Sequence, residues 1–311
     1  MIKNITVLGA GIMGHGIAQI FAQADYPVQL YDLRDEPLRK AKESIENDLD
    51  VQVNQGIIEK GAKDAALAQL TFTTNLEQAV KDANYITEAV PEDLDIKHDL
   101  YKKIEPMISK DTILTSNTSA LPLSSLTKVL EQPDRMLITH FFNPPQLVPL
   151  VEVVRSEHTS DNIVNETKEL LEKCNKTPVA LKKEFPGFIA NRLQAALVRE
   201  AFHIMEEDVA DAEDIDKVIS NGPGFRWAFI GPIETADFGG LDTWTEVGNL
   251  LFPKLSNITT PPEILKSKYD AGKLGVKSGE GFKTYTEEEA AEKIKQRDNN
   301  FIELLKLKKN S

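Results

Sequence analysis

The alternation of apolar and polar positions along the chain changes character once, near residue 184. Up to that point, short apolar runs of strand length alternate with stretches in which apolar residues recur every three or four positions. "NITVLGAG" is an apolar run ending in glycines, as a buried strand entering a tight turn requires. "HGIAQIFAQA" then places Ile17, Ile20, Phe21 and Ala24 on one helical face. Further strands are predicted in "PVQLYD", "TFTT", "YITEAV", "TILTSNTS", "RMLITHFF", "LVEVV" and "TPVALKK". Helical stretches separate most of them, which predicts a mostly parallel sheet covered by helices. One segment departs from the alternation. Between Asp32 and "TFTT", about residues 35–70 are charged and helical in period, with a break near Gly61. They are expected to form two helices, an inserted arm.

After "FPG" (Phe185 to Gly187) only helical runs remain. "FIANRLQAALVREAFHIMEED" predicts a long helix, and "DAEDIDKVISNG" a short one with Asp211 as N-cap and Gly222 as its stop. "PIETADFGGLDTWTEVGNLL" predicts a third, and "RDNNFIELLKLKKNS" a last helix with a frayed tip. The expected organisation is an α/β domain over residues 1–184 followed by an all-α domain over 185–311. The length of 311 residues suits two cores rather than one.

Composition narrows the classes. No apolar run approaches the roughly 20 residues of a membrane helix, and because Met1-Ile2-Lys3 leads directly into a folded pattern, no secretory leader is expected. Cys174 is the single cysteine, so an intrachain disulfide is impossible and a structural zinc site is disfavoured. His15, His98, His158 and His203 show no metal-binding spacing, and no metal is expected. These features suit a reducing cytoplasm. The net charge of −13 opposes nonspecific nucleic-acid binding. An anionic small ligand would have to be met by local donors.

Residues 9–14, "GAGIMG", read G-x-G-x-x-G. Alone the pattern is weak. Here it follows a predicted strand, opens a predicted helix and is followed about 20 residues later by Asp32 at the end of the second strand. In that context Gly9 permits the turn, Gly11 admits a pyrophosphate against the backbone, and Gly14 lets the helix approach the sheet. Ile12 and Met13 open the helix, whose free N–H groups favour an anion. Asp32 can accept from the ribose hydroxyls and would repel a 2′-phosphate, which favours NAD over NADP. FAD shares the fingerprint, but no second flavin signature is evident.

Polar residues then gather at the C-terminal ends of predicted strands, where ligands bind in an open α/β sheet. They are Glu92 in "AVPED", Ser116, Asn117 and Ser119 in "SNTS", and His140 and Asn143 in "HFFNP". By itself His140 is equally a packed histidine at a strand end, Glu152 an edge-strand charge, Asn143-Pro144 a turn, and Ser119 the N-cap of the next helix. Asn191 inside a helix is costly by propensity, which leans towards a role.

The segments "GAGIMG", "EAVPED", "SNTSAL", "HFFNPP", "PLVEVV", "PGFIANRL" and "KSGEGF", in this order from residue 5 to about 285, resemble the NAD-dependent 3-hydroxyacyl-CoA dehydrogenases. The resemblance implies a Rossmann-type NAD-binding domain with a helical arm and an all-α domain for substrate and dimerisation. It implies oxidation of the 3-hydroxyl of a short (S)-3-hydroxyacyl-CoA in the cytoplasm, in fatty acid metabolism, by a homodimer. Residue by residue, it makes His140 the general base, Glu152 its orienting partner, Ser119 a hydrogen-bond donor to the reacting oxygen, and Asn191 a substrate-positioning residue. Glu92, Lys97, Asn117, Asn143 and Lys277 match positions that line the cofactor.

Two departures bear on the substrate. "NGPGFRWAFIGPIETADFGGLD" is longer than its counterpart in acyl-CoA members and adds Arg226 beside Trp227 and Phe229, and "HFFNPPQLVPLVEVV" carries Pro145 and Pro149. Both resemble the branch that contains lambda-crystallin (L-gulonate 3-dehydrogenase). A guanidinium can clamp a free carboxylate, which a thioester lacks. Arg39, Lys40, Lys42 and Lys60 on the arm could instead meet CoA phosphates. A free 3-hydroxy acid therefore stands as the alternative substrate, and a non-catalytic NAD-binding sensor or structural protein as the alternative of another class.

Overall fold

A computed structural model describes residues 2–309. Contacts divide it into two units, one ending at Ile189 and the other starting at Ala190.

The first unit follows the alternation in the sequence. β1 (Ile5–Leu8), α1 (Ile12–Gln23) and β2 (Val28–Tyr31) lead into the arm, α2 (Asp35–Asn54) and α3 (Lys60–Ala68). β3 (Leu70–Thr73), α4 (Leu76–Val80), β4 (Tyr85–Glu88), α5 (Leu94–Ile104), β5 (Ile113–Ser116), α6 (Leu123–Leu126) and β6 (Met136–Phe141) continue it. β7 (Leu150–Val154), α7 (Asp161–Lys173) and β8 (Thr177–Ala180) close the unit. The eight strands form one sheet in the order β3-β2-β1-β4-β5-β6-β7-β8. Every neighbouring pair is parallel except β6–β7. The segment 142–149 that joins those two is too short for a crossover helix, so the chain must turn back as an antiparallel hairpin. Strand order reverses on either side of β1, which puts the loop after β1 at a topological switch point.

Successive strand residues face opposite sides of the sheet. Ile5 and Val7 join a core with Ile17, Phe21, Leu170 and Leu171 on α1 and α7. Leu8 and Ile86 join another with Val80, Tyr101, Leu123 and Leu126 on α4, α5 and α6. Each fully buried side chain of this size contributes about 1.5–3 kcal/mol of transfer free energy. The arm has its own small core of Ile45, Leu49 and Ala66. Its break falls at Gly56, not Gly61: Gly56 adopts φ 67, a conformation that ends α2, whereas Gly61 lies inside α3.

The second unit consists of α8 (Ala190–Glu206), α9 (Ala212–Asn221), α10 (Pro223–Trp227), α11 (Pro232–Gly239), α12 (Leu241–Leu251), α13 (Glu263–Asp270) and α14 (Glu287–Lys309). The single helix expected over 232–251 is two helices. Gly240, at φ 87, leaves α11 and turns the chain into α12. α14 begins ten residues before the expected start at Arg297, because "EEEAAEKIKQ" continues the same helix. The frayed tip expected at Asn310 and Ser311 lies outside the described residues. None of the described helices is long and apolar enough to cross a membrane.

Candidate active site

The glycine loop is built by close approach. Gly9 has φ 106, and a Cβ there would lie 2.6 Å from the Ala89 carbonyl oxygen. A Cβ at Gly14 would lie 1.8 Å from the Gly9 carbonyl oxygen. Both positions need glycine to bring α1 against the sheet. Gly11 differs: a Cβ there would meet nothing within 4 Å. The missing side chain leaves open space over the N-terminus of α1, where Gly11 also provides no side-chain cap. Ile12 is exposed at that end, and Met13 packs partly against the core. One oxygen of Asp32 accepts the Ala10 N–H at 2.9 Å, which braces the loop from the end of β2. Open space above Gly11, uncapped helix N–H groups and a carboxylate at the strand end together fit a dinucleotide.

β6 and β7 supply the polar pair at the sheet's far side. Antiparallel register sets His140 directly opposite Glu152. His140 Nδ1 lies 2.9 Å from Glu152 Oε2, and the other oxygen, Oε1, accepts the Ile189 N–H at 2.9 Å. Both side chains are buried, and the rings of Phe142 and Phe188 stand 4.4 and 5.4 Å from the imidazole. With Nδ1–H donating to the carboxylate, Nε2 is the nitrogen left to take a proton. Burial rules out the surface-charge reading of Glu152.

Ser119 sits in the loop after β5 and is exposed. It does not cap the following helix. α6 starts at Leu123, and Glu184 accepts the N–H groups of Leu123 and Ser124 at 2.6 and 3.4 Å. The Ser119 loop instead rests on Glu92, whose Oε1 accepts from the Thr118 hydroxyl, the Ser119 N–H at 3.0 Å and the Ala120 N–H at 3.3 Å. Burial pushes the Glu92 carboxyl up. The Thr118 hydroxyl, Lys97 and the Ser119 N–H outweigh it and hold Glu92 below the ordinary carboxylate value. Asn117 accepts the Phe141 N–H at 2.9 Å, tying the ends of β5 and β6 together. Asn143 is exposed just beyond β6 and precedes a cis Pro144.

Lys97 is not a surface lysine. It is 1 % exposed, 2.7 Å from Glu88 and 3.3 Å from Glu92. Glu88 is a residue that the sequence pattern did not single out. An acid at the end of the apolar run "YITEAV" was its available signal. Phe188, from the segment after β8, was likewise missed.

In the second unit, Asn191 falls in the first turn of α8. Helix propensity weighs little there, so that argument for a role no longer applies. Arg226 lies in the last turn of α10, exposed, and makes no ion pair among the described residues. Lys277 is exposed in the turn between Gly275 and Glu280. Among the described residues no group of three or more His, Cys, Asp or Glu could hold a metal ion.

Comparison with known proteins bears on this arrangement. Residues 4–185 match the model of the NAD-binding domain of 3-hydroxyacyl-CoA dehydrogenase, and residues 187–285 match that of its C-terminal domain. The chain is 36% identical over 289 residues to 5-formyl-3-hydroxy-2-methylpyridine 4-carboxylate 5-dehydrogenase of Mesorhizobium japonicum, covering 93% of each chain. A crystal structure of an enzyme of that name superposes with a TM-score of 0.93 at 34% identity, covering 99% of this chain and 98% of that one. A probable 3-hydroxybutyryl-CoA dehydrogenase of Deinococcus radiodurans is 37% identical over 280 residues, 90% of this chain and 99% of that protein. L-carnitine dehydrogenase of Streptomyces coelicolor is 33% identical over 309 residues, 98% of this chain and 94% of that one.

Proposed function

The chain belongs to the 3-hydroxyacyl-CoA dehydrogenase family, an NAD-dependent group acting on CH–OH, and from that premise we propose that it oxidises the 3-hydroxyl of a short (S)-3-hydroxyacyl compound, reversibly. The observation that carries this reading is the buried His140–Glu152 pair, set in register with Nε2 left unengaged by the carboxylate. When bound, NAD supplies the hydride acceptor. His140 Nε2 takes the hydroxyl proton as the C3–H bond breaks with its electron pair and the C=O bond forms. Glu152 keeps the proton on Nδ1 and stabilises the imidazolium. The Ser119 hydroxyl donates to the reacting oxygen. Asn191 positions the substrate, and Glu92, Asn117, Asn143 and Lys277 line the cofactor. Phe142 and Phe188 keep water from the imidazole. Two copies associate through the helical unit, in the cytoplasm.

The first reading of the substrate is a CoA thioester such as 3-hydroxybutyryl-CoA, as in the relative of that name. A second reading, a small free 3-hydroxy acid, draws on Arg226, exposed and without an ion pair among the described residues. On the arm, by contrast, Arg39, Lys40 and Lys42 pair with Glu43, Glu36 and Glu46, as a solvated helix face does. The relatives named for a pyridine 4-carboxylate and for L-carnitine also match this chain over nearly its whole length.

A paired assay with NAD decides between them. On the first reading, 3-hydroxybutyryl-CoA turns over and Arg226→Ala leaves the rate unchanged. Turnover confined to L-gulonate, L-carnitine or related acids, and lost in Arg226→Ala, overturns the thioester reading. His140→Gln with undiminished turnover would remove the catalytic assignment altogether.

A further inference from the structure

We propose that Glu88 and Lys97 are positioning residues that hold Ser119 in its working orientation through Glu92. The proposal rests on the reading of Ser119 as the donor to the reacting oxygen.

Glu88, the last residue of β4, is fully buried. Its Oε1 accepts from Lys97 Nζ at 2.7 Å and from the Val90 N–H at 2.8 Å. Its Oε2 accepts from the Tyr101 hydroxyl at 2.6 Å and from Ser116 Oγ at 2.7 Å. One carboxylate thus ties together the end of β4, two turns of α5 and the end of β5. Tyr101 responds as expected: burial first, then the Glu88 charge, pushes its phenol well above the ordinary value. Lys97 extends the chain. From its contact with Glu88 it reaches Glu92 Oε2 at 3.3 Å. Glu92 Oε1 in turn takes the Thr118 hydroxyl and the N–H groups of Ser119 and Ala120. A continuous path of charged and hydrogen-bonded groups therefore runs from the core to the Ser119 backbone.

Stability alone is a weak reason for such a pair. Burying two charges costs about as much as their attraction returns, and apolar replacements are often neutral or stabilising. An ammonium whose side chain is 1 % exposed and lies between two carboxylates has little surface left for a cofactor. What the pair does supply is direction. Lys97 holds one Glu92 oxygen, while the other accepts from the Thr118 hydroxyl and the N–H groups of Ser119 and Ala120. Lys97 is on this account a positioning residue rather than a lining residue of the dinucleotide site.

Glu88→Gln tests the chain, because an amide must turn N–H groups towards donors that now meet oxygen. Steady-state kinetics are measured with NAD and the best substrate of the wild-type enzyme, alongside thermal unfolding. Glu88→Gln is expected to lower kcat about tenfold while KM for NAD stays within about twofold. In a Ser119→Ala background the same substitution is expected to cost less than about twofold, since the two act through one contact. Equal loss in both backgrounds, no loss at all, or a rise in the KM for NAD with kcat intact would overturn the proposal. Ser119→Ala alone leaving kcat unchanged would fault the assignment of Ser119 and remove the proposal with it. Should Glu88→Gln fail to fold, the pair is removed together as Glu88→Gln/Lys97→Met, with the same coupling to Ser119 expected.

Discussion

A histidine at a strand end acquires a defined tautomer only from what its Nδ1 meets. Here that partner is Glu152, itself fixed by a second hydrogen bond from the Ile189 N–H. The two bonds make a sharp prediction for Glu152→Gln. The amide oxygen would keep the Ile189 N–H, so the NH2 group would face Nδ1. Nδ1 must then accept, the proton moves to Nε2, and the imidazole can no longer act as a base. kcat is expected to fall by about 10²–10⁴ with little change in KM, the range typical of a lost general base. A loss of less than about tenfold in steady-state turnover would mean that Glu152 does not set the tautomer. At this scale the sequence was legible only in part. His140 and Ser119 stood out as polar residues at the ends of predicted strands, and Glu152 as an acid inside an apolar run. Glu88 escaped, and Lys97 was named only through the family resemblance and for the cofactor, because a lysine on a helix reads as solvated until its carboxylate partners are brought beside it by the sheet.

At the scale of elements, the segment 142–149 does most to fix the pair. It joins two antiparallel strands, so its geometry sets the register that opposes His140 and Glu152. Lys176, just before β8, donates to the Pro145 carbonyl at 2.6 Å and the Val148 carbonyl at 3.0 Å. Gln146 reaches Asp48 on the arm at 2.8 Å, and Pro145 lies so close to α1 that a Cβ on Gly16 would stand 2.6 Å from its ring. In the sequence Pro145 and Pro149 marked a departure from the acyl-CoA members; none of these clamps could be read there, because each joins residues far apart in the chain. Lys176 also leaves a mark on stability. Burial lowers its ammonium from 10.5 to about 8, while the neighbouring Cys174 thiol is pushed up to about 12 by burial. Below pH 8 the folded and unfolded chains both hold the lysine proton, and folding bears the full cost of a buried charge. Above pH 8 the unfolded chain holds more of that proton, so this contribution to stability rises until about 10.5. Cys174 acts oppositely from about pH 9, because its folded state keeps the proton longer. Denaturant unfolding of wild type and Lys176→Met across pH 7–9 isolates the lysine, since the Cys174 contribution enters only from about pH 9. Wild type is expected to gain stability relative to Lys176→Met as pH rises through 8, and parallel profiles would exclude the effect.

At the scale of the whole molecule, the two units differ in how far they are complete. Alternating strand and helix made the first unit legible: every strand read from an apolar run is present, and the sheet buries both faces. Helix breaks in the arm and over 232–251 were less legible, because a glycine's φ depends on its surroundings and not on its being glycine. Gly61 stays helical where Gly56 and Gly240 do not. The second unit poses a different question. α8 and α9 are amphipathic in sequence, yet neither carries a buried residue. Val209, Phe225, Ile233, Phe238 and Leu241 are all more than 60% exposed. An apolar helix face needs a covering layer, and an exposed apolar area of this kind marks an interaction surface. A second copy of the chain is the proposed cover. Sedimentation of the full-length protein is then expected to give twice the 34.6 kDa chain mass at micromolar concentration. Ile233→Asp combined with Phe238→Asp should shift it towards monomer, with a lowered and less cooperative thermal transition, because a desolvated carboxylate opposes association. A monomeric wild-type protein that unfolds in one cooperative step would show that the helical unit needs no such cover.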